Sequence, residues 1–158
     1  MYADTCARRK LGGVYIAYGY PASQTKKHYV TGEISAEPTF IGMRAVVDEK
    51  VYENLNCFST RNIIVEYYRN KMRKSDTKEM GTGPDIAGMS GCGFWNLHYD
   101  TQNNIDSKLV GMLTEWSLKN KNYVIYTRVD INSEILRNLY SVDVTPSMIF
   151  KSTFNIEE

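Results

Sequence analysis

Histidine and cysteine are scarce in this chain. Its 158 residues include two histidines, His28 and His98, and three cysteines, Cys6, Cys57 and Cys92. There is no Cys-x-x-Cys and no zinc-ligand spacing, so neither a metal centre nor a disulfide framework is expected. Widely spaced cysteines in odd number fit reduced thiols in a reducing compartment, and a cytoplasmic location is the expectation. No apolar run approaches the ~18 residues that cross a bilayer. Residues 1–10 carry Arg8, Arg9 and Lys10, but no apolar stretch of signal-peptide length follows. Neither sign of charge dominates: 19 basic residues face 18 acidic ones. Nothing global therefore points to nucleic acid or to a membrane surface as a partner. Proline is rare, at four residues, which with the abundant tyrosine favours strands over helices.

What is abundant is tyrosine, at 12 residues, within an apolar content of 42%. Aromatic and β-branched residues fall in short runs, which favours strands. At this length a single domain buries roughly 70% of its unfolded surface, enough for a core without metal or disulfide. Strand-like runs occupy 14–20, 29–35, 61–68, 94–99, 108–116 and 123–129, with Phe40-Ile41 resuming the second after Pro38. Gly32 suggests a bulge or a close backbone approach. Residues 22–27 read as polar loop, and 43–57 fits a short helix or a strand. Ile131, Ile135, Leu136 and Leu139 then fall at helical spacing, with Asp130 or Asn132 as N-cap. The expectation is an all-β domain: an antiparallel six-stranded barrel over about 12–129, one C-terminal helix over about 131–140, and a tail over 141–158. Closure of such strands removes exposed edges.

One stretch carries chemistry. Gly88-Met89-Ser90-Gly91 places a serine between glycines, so the backbone can fold tightly around the hydroxyl and aim N–H groups at a developing oxyanion. Gly-x-Ser-Gly is also a common turn sequence. The Gly-x-Ser-x-Gly elbow of α/β-hydrolases is excluded, because Cys92 holds the fifth position and a strand follows. A phosphate-binding loop is excluded because no Lys-Ser or Lys-Thr follows the last glycine.

The order of elements around this serine is informative. A Gly-rich loop leads into a strand, then a polar turn, then Leu109-Val110-Gly111-Met112-Leu113-Thr114-Glu115-Trp116, then the strand from Tyr123 to Val129, then a helix. This order resembles the C-terminal half of chymotrypsin-like (trypsin-like) serine proteases, and the opening strand ending Gly19-Tyr20-Pro21 resembles the start of their second barrel, especially in bacterial members. The resemblance spans about residues 12–140. It implies that Ser90 is the nucleophile and that the N–H groups of Gly88 and Ser90 form the oxyanion hole. It implies that Leu113, Thr114, Glu115 and Trp116 pair with the backbone of a peptide or protein substrate. Asp85 and Pro84 lie where the floor of the primary specificity pocket would be built. Asp85 would then select a basic side chain, or serve only as a surface-loop carboxylate. No cofactor and no metal is implied.

Three departures accompany the resemblance. Met89 stands where the vertebrate motif has an acidic residue. Cys92 replaces the second glycine, and a buried, unreactive thiol is expected there. The histidine and aspartate of the family belong to an N-terminal barrel, and neither His28 nor His98 matches them. The chain is therefore expected to be catalytically incomplete alone, with that barrel of the same protein as its missing partner. An apolar face around Ser90 and 113–116 is expected to be exposed and to favour self-association. A protease-like barrel kept only for peptide binding, and a small all-β protein whose serine loop is just a turn, are the alternatives. The basic run with Arg69, Lys71, Arg73, Lys74 and Lys78 reads as a solvated connection, not a nucleic-acid surface.

Overall fold

A computed structural model describes residues 14–27, 30–74, 77, 79–99, 102–116 and 122–147. In chain order the strands are β1 (Val14–Gly19), β2 (Thr25–Lys27), β3 (Ile34–Ala36), β4 (Thr39–Ala45), β5 (Asn62–Glu66), β6 (Met72–Arg73), β7 (Met80–Gly81), β8 (Gly93–Tyr99), β9 (Ile105–Trp116) and β10 (Tyr123–Arg128). Helix α1 (Glu49–Asn54) separates β4 from β5, and α2 (Val129–Tyr140) follows β10. Six strands close an antiparallel barrel in the order β1-β4-β5-β10-β9-β8, with β8 returning to β1. The short hairpins β2–β3 and β6–β7 stand apart as separate two-stranded sheets.

The barrel interior follows from alternation. Ala17 of β1, Ile41 and Met43 of β4, Ile63 and Val65 of β5, Phe94 of β8, Val110 and Leu113 of β9, and Val124 and Tyr126 of β10 all point inward and are buried. Phe94 stacks between Tyr15 and Tyr126, at centroid distances of 5.2 and 4.1 Å. The run Ile63-Ile64-Val65 is buried throughout, which alternation alone does not explain. Its outward Ile64, with Ile125 of β10, packs under Tyr52 of α1. This small helix caps the outside of the barrel, and Asp48 starts it by accepting the Lys50 N–H at 3.0 Å. β9 carries two register shifts, one against β8 at Phe94/Trp95 and one against β10 at Ile125/Tyr126. Such bulges bend and twist a strand, as a closing barrel requires.

The six-stranded antiparallel barrel and its C-terminal helix are as expected, and 43–57, open between helix and strand, divides into the end of β4 and the short α1. Other expectations are corrected. Residues 22–27 contain a 3₁₀ turn and β2, not only loop, and of 30–35, the described part of the strand expected over 29–35, only Ile34 and Ser35 are strand, in β3, which pairs with β2. Gly32 lies between β2 and β3 at φ +72°, where a turn and not a bulge needs it. α2 begins at Val129, and its N-cap is Arg128, not Asp130 or Asn132. The Asp130 side chain is instead committed to Arg128, whose Nε lies 3.2 Å from its Oδ1.

The segment after α2 is also not a free tail as far as residue 147. Ser147 is buried; its Oγ donates to Asp130 at 3.0 Å, and its N–H donates to the Glu134 carboxylate. Arg137 donates to the same carboxylate at 2.6 Å. Hydrogen bonds from Arg137, then from Ser147, outweigh burial and hold the Glu134 carboxyl below its ordinary value. A carboxyl with a lowered folded pKa contributes stability that is complete above the unfolded value of 4.5 and is lost as pH falls through the folded one. Melting temperature is therefore expected to fall below pH 4.5, and Glu134→Gln is expected to flatten that slope. Equal slopes in the two proteins would show that Glu134 does not carry the effect.

Candidate functional site

The loop from residue 82 to 92 connects the β6–β7 hairpin to β8. Gly83, Ile86 and Met89 are buried and Cys92 is half-buried, so every third residue turns inward. Two successive turns produce this spacing: the Met89 N–H donates to Ile86 O at 3.0 Å, and the Cys92 N–H donates to Met89 O at 2.9 Å. The third residue of each turn is a glycine with positive φ, Gly88 at +86° and Gly91 at +81°, as a type II turn demands. Ser90 lies between them on the outside and is exposed, three residues before β8 begins.

The main-chain donors of this loop fall into two groups. Ala87 N–H donates to Asp85 Oδ1 at 3.0 Å, Met89 and Cys92 donate within the turns, and Gly91 donates to Leu113 O at 2.8 Å. Among the described residues the N–H groups of Gly88 and Ser90 donate no hydrogen bond. Anchoring is strong around them. Leu113 also donates to Cys92 O at 2.9 Å, and Ala22 donates to Ala87 O at 2.8 Å. A Cβ on Gly88 would meet Ala22 Cβ at 3.0 Å and Ala22 N at 3.1 Å.

Gly88→Ala is therefore expected to cost about 1–3 kcal/mol from the left-handed backbone alone, with the Ala22 contact added. Gly42 has no positive φ, and a Cβ there would meet nothing within 4 Å. Gly42→Ala is thus the control and should leave the urea midpoint nearly unchanged or raise it. Equal losses in the two variants would remove the special role of the Gly88 turn.

Cys92 fits because its neighbour at the end of the adjacent strand β1 is Gly19, where a Cβ would come within 2.8 Å of the cysteine Cβ. Burial pushes its thiol up to about 11, so it stays protonated at neutral pH and is a poor nucleophile. Met89 is buried in the barrel core, which a charged residue at that position would not tolerate.

The residues expected to hold a peptide divide. Leu113 is buried, with its N–H and carbonyl tied to the serine loop. Thr114 and Glu115 are exposed and lie past the last β8–β9 pair, Gly93 with Met112; among the described residues only β10 runs beside them. Trp116 is half-buried and lines a cleft of about 300 Å³ with Arg69, Asn70, Thr82, Asp85 and Asn122. Among the described residues, exposed aromatic side chains gather on the outer side of β1 and β4 and just beyond β1, where Tyr18 lies 4.5 Å from Phe40 and 6.2 Å from Tyr20.

Asp85 lies beside the cleft, but its carboxylate is engaged. Oδ1 accepts the Ala87 N–H, and Oδ2 pairs with Arg69 Nη1 at 3.4 Å. Arg69 had no signal in the sequence beyond membership of a basic run. It is 16 residues from Asp85, and only folding brings the two together. His98 is on β8, with Nε2 3.2 Å from Asp106 of β9. His28 and Cys6 lie outside the described residues. Among the described residues no group of His, Cys, Asp or Glu could hold a metal ion, and no helix is long and apolar enough to cross a membrane. No protein-family model and no curated protein matches the chain.

Proposed function

We propose that this barrel is the nucleophile-bearing half of a trypsin-like serine peptidase. The observation that carries the reading is the serine loop: an exposed Ser90 with two unengaged main-chain donors, Gly88 and Ser90 N–H, between donors that are all engaged. Those are the two N–H groups that the resemblance assigns to the oxyanion hole, and acyl transfer needs them unoccupied until the tetrahedral intermediate forms. The extension of β9 at Thr114 and Glu115 supplies an edge on which a peptide adds as a further strand. The histidine and aspartate come, on this reading, from a partner barrel outside these 158 residues.

A second reading, a peptide-binding barrel without catalysis, is favoured by one observation. Among the described residues no side chain hydrogen-bonds the Ser90 hydroxyl, and a serine without a base is a weak nucleophile. A fluorophosphonate probe separates the two. It should label Ser90 slowly or not at all in this chain, and rapidly once a barrel carrying the histidine and aspartate is joined. Failure to label the joined protein would leave the binding module.

A further inference from the structure

The cleft beside Ser90's loop has a charge arrangement that the sequence does not suggest. Among the described residues its lining contains one cation, Arg69, and one anion, Asp85, and both side chains remain partly exposed, at 44% and 36%. The other lining residues are Asn70, Thr82, Asn122 and Trp116, all uncharged. A lone carboxylate there would attract lysine or arginine. Here Arg69 already occupies one carboxylate oxygen, and the loop's own Ala87 N–H occupies the other. An incoming cation would meet the Arg69 guanidinium at the same place, and an incoming carboxylate would meet Asp85.

The wall is fixed, so this arrangement is built in advance. The Gly83 N–H donates to Arg69 O at 2.6 Å, and Arg69 Nε donates to Gly83 O at 3.0 Å. Tyr67 donates to Pro84 O at 2.5 Å. No side chain fits at Gly83, where a Cβ would lie 2.7 Å from both Tyr67 and Met72. Arg69 commits two of its five N–H groups to Gly83 and Asp85, and Asp85 keeps acceptor capacity. Among the described residues, donors and acceptors thus stand side by side with their charges paired. A volume of about 300 Å³ lies at the small end of ligand pockets and suits one side chain.

We infer that this cleft receives an uncharged carboxamide side chain, as of glutamine, and that Arg69 sets the preference by neutralising Asp85. The inference rests on the reading of β9 as the peptide-binding edge, which delivers a side chain to Trp116. A carboxamide matches both a donor and an acceptor, whereas an aliphatic side chain leaves them unpaired and is rejected.

The test is a titration of the 158-residue chain with the Nα-acetyl amides of glutamine, lysine, glutamate and leucine, read by the Trp116 indole resonance in NMR. The glutamine amide should bind at least fivefold more tightly than the other three. In Arg69→Ala the carboxylate is released, and lysine should gain about tenfold and move to first place. Because Arg69 also holds Gly83, Asp85→Asn is the second variant; it keeps an oxygen for the Ala87 N–H, and glutamate should move to first place. Lysine preferred in the unaltered chain, an unchanged ranking in both variants, or no response of Trp116 to any amide would overturn the inference. None of these readings requires Ser90 to react. A chain labelled at Ser90 whose Trp116 ignores every amide keeps the peptidase reading and loses this one.

Discussion

Joining a barrel that carries a histidine and an aspartate is expected to raise fluorophosphonate labelling of Ser90 by ~10³-fold. General-base assistance is typically worth 10²–10⁴, and on the peptidase reading the other requirements are met by the exposed hydroxyl and the unengaged Gly88 and Ser90 N–H groups. What is lacking among the described residues is a group to take the proton. His98 does not qualify. It sits five residues beyond Gly93 on β8, on the order of 16 Å along the strand, and its Nε2 faces Asp106. A base must come within about 3 Å of the hydroxyl or reach it through one water. His98→Ala should therefore leave labelling unchanged in both the isolated and the joined protein, and Ser90→Ala should abolish it. Rapid labelling of the isolated chain, removed by His28→Ala or His98→Ala, would show that the base lies within these 158 residues.

The largest loss of stability from a single polar side chain is expected at Asp130. Arg128 and Asp130 have side chains only 8% and 3% exposed, and they form an ion pair where β10 passes into α2. Asp130 also accepts the Ser147 hydroxyl. Asp130→Ala leaves a guanidinium buried without its counter-charge, which costs about 3–5 kcal/mol. For a domain of this size that lowers the melting temperature by about 10 °C. Asp130→Asn keeps an oxygen for Ser147 and should fall between the two. Replacing both Arg128 and Asp130 by apolar residues of similar volume should recover much of the loss, because the cost comes from breaking the pair. A loss under about 1 kcal/mol in Asp130→Ala would show that water reaches Arg128.

Both expected results depend on features of different legibility. The strands around Ile63, Phe94, Leu109 and Tyr126 were readable because side-chain alternation and β-propensity are local properties. The Gly88-Met89-Ser90-Gly91 loop was readable for the same reason: turns at positive φ need glycine at particular positions within four residues. So was the unreactive character of Cys92, since no neighbour in sequence could lower its pKa. The helix after β10 was readable from its apolar spacing, although its start was not, because Asp130 resembles a cap and is instead held by Arg128.

What the sequence alone determined is thus five of the barrel's six strands, all but β4, its terminal helix and the position of the exposed serine. Only the tertiary structure decided what faces what. The strand order β1-β4-β5-β10-β9-β8 joins elements far apart in the chain. α1 covers Ile64 and so makes β5 apolar on both faces. Gly19 makes room for Cys92 from a distant part of the chain. Arg69 takes the carboxylate of Asp85, a residue that the sequence left open between a specificity role and a surface-loop carboxylate. Ser147 fastens the end of the described chain to Asp130 and Glu134. Each is a contact between residues whose local sequences carry no trace of the other, because it forms only when barrel closure brings the two segments into the same few ångströms.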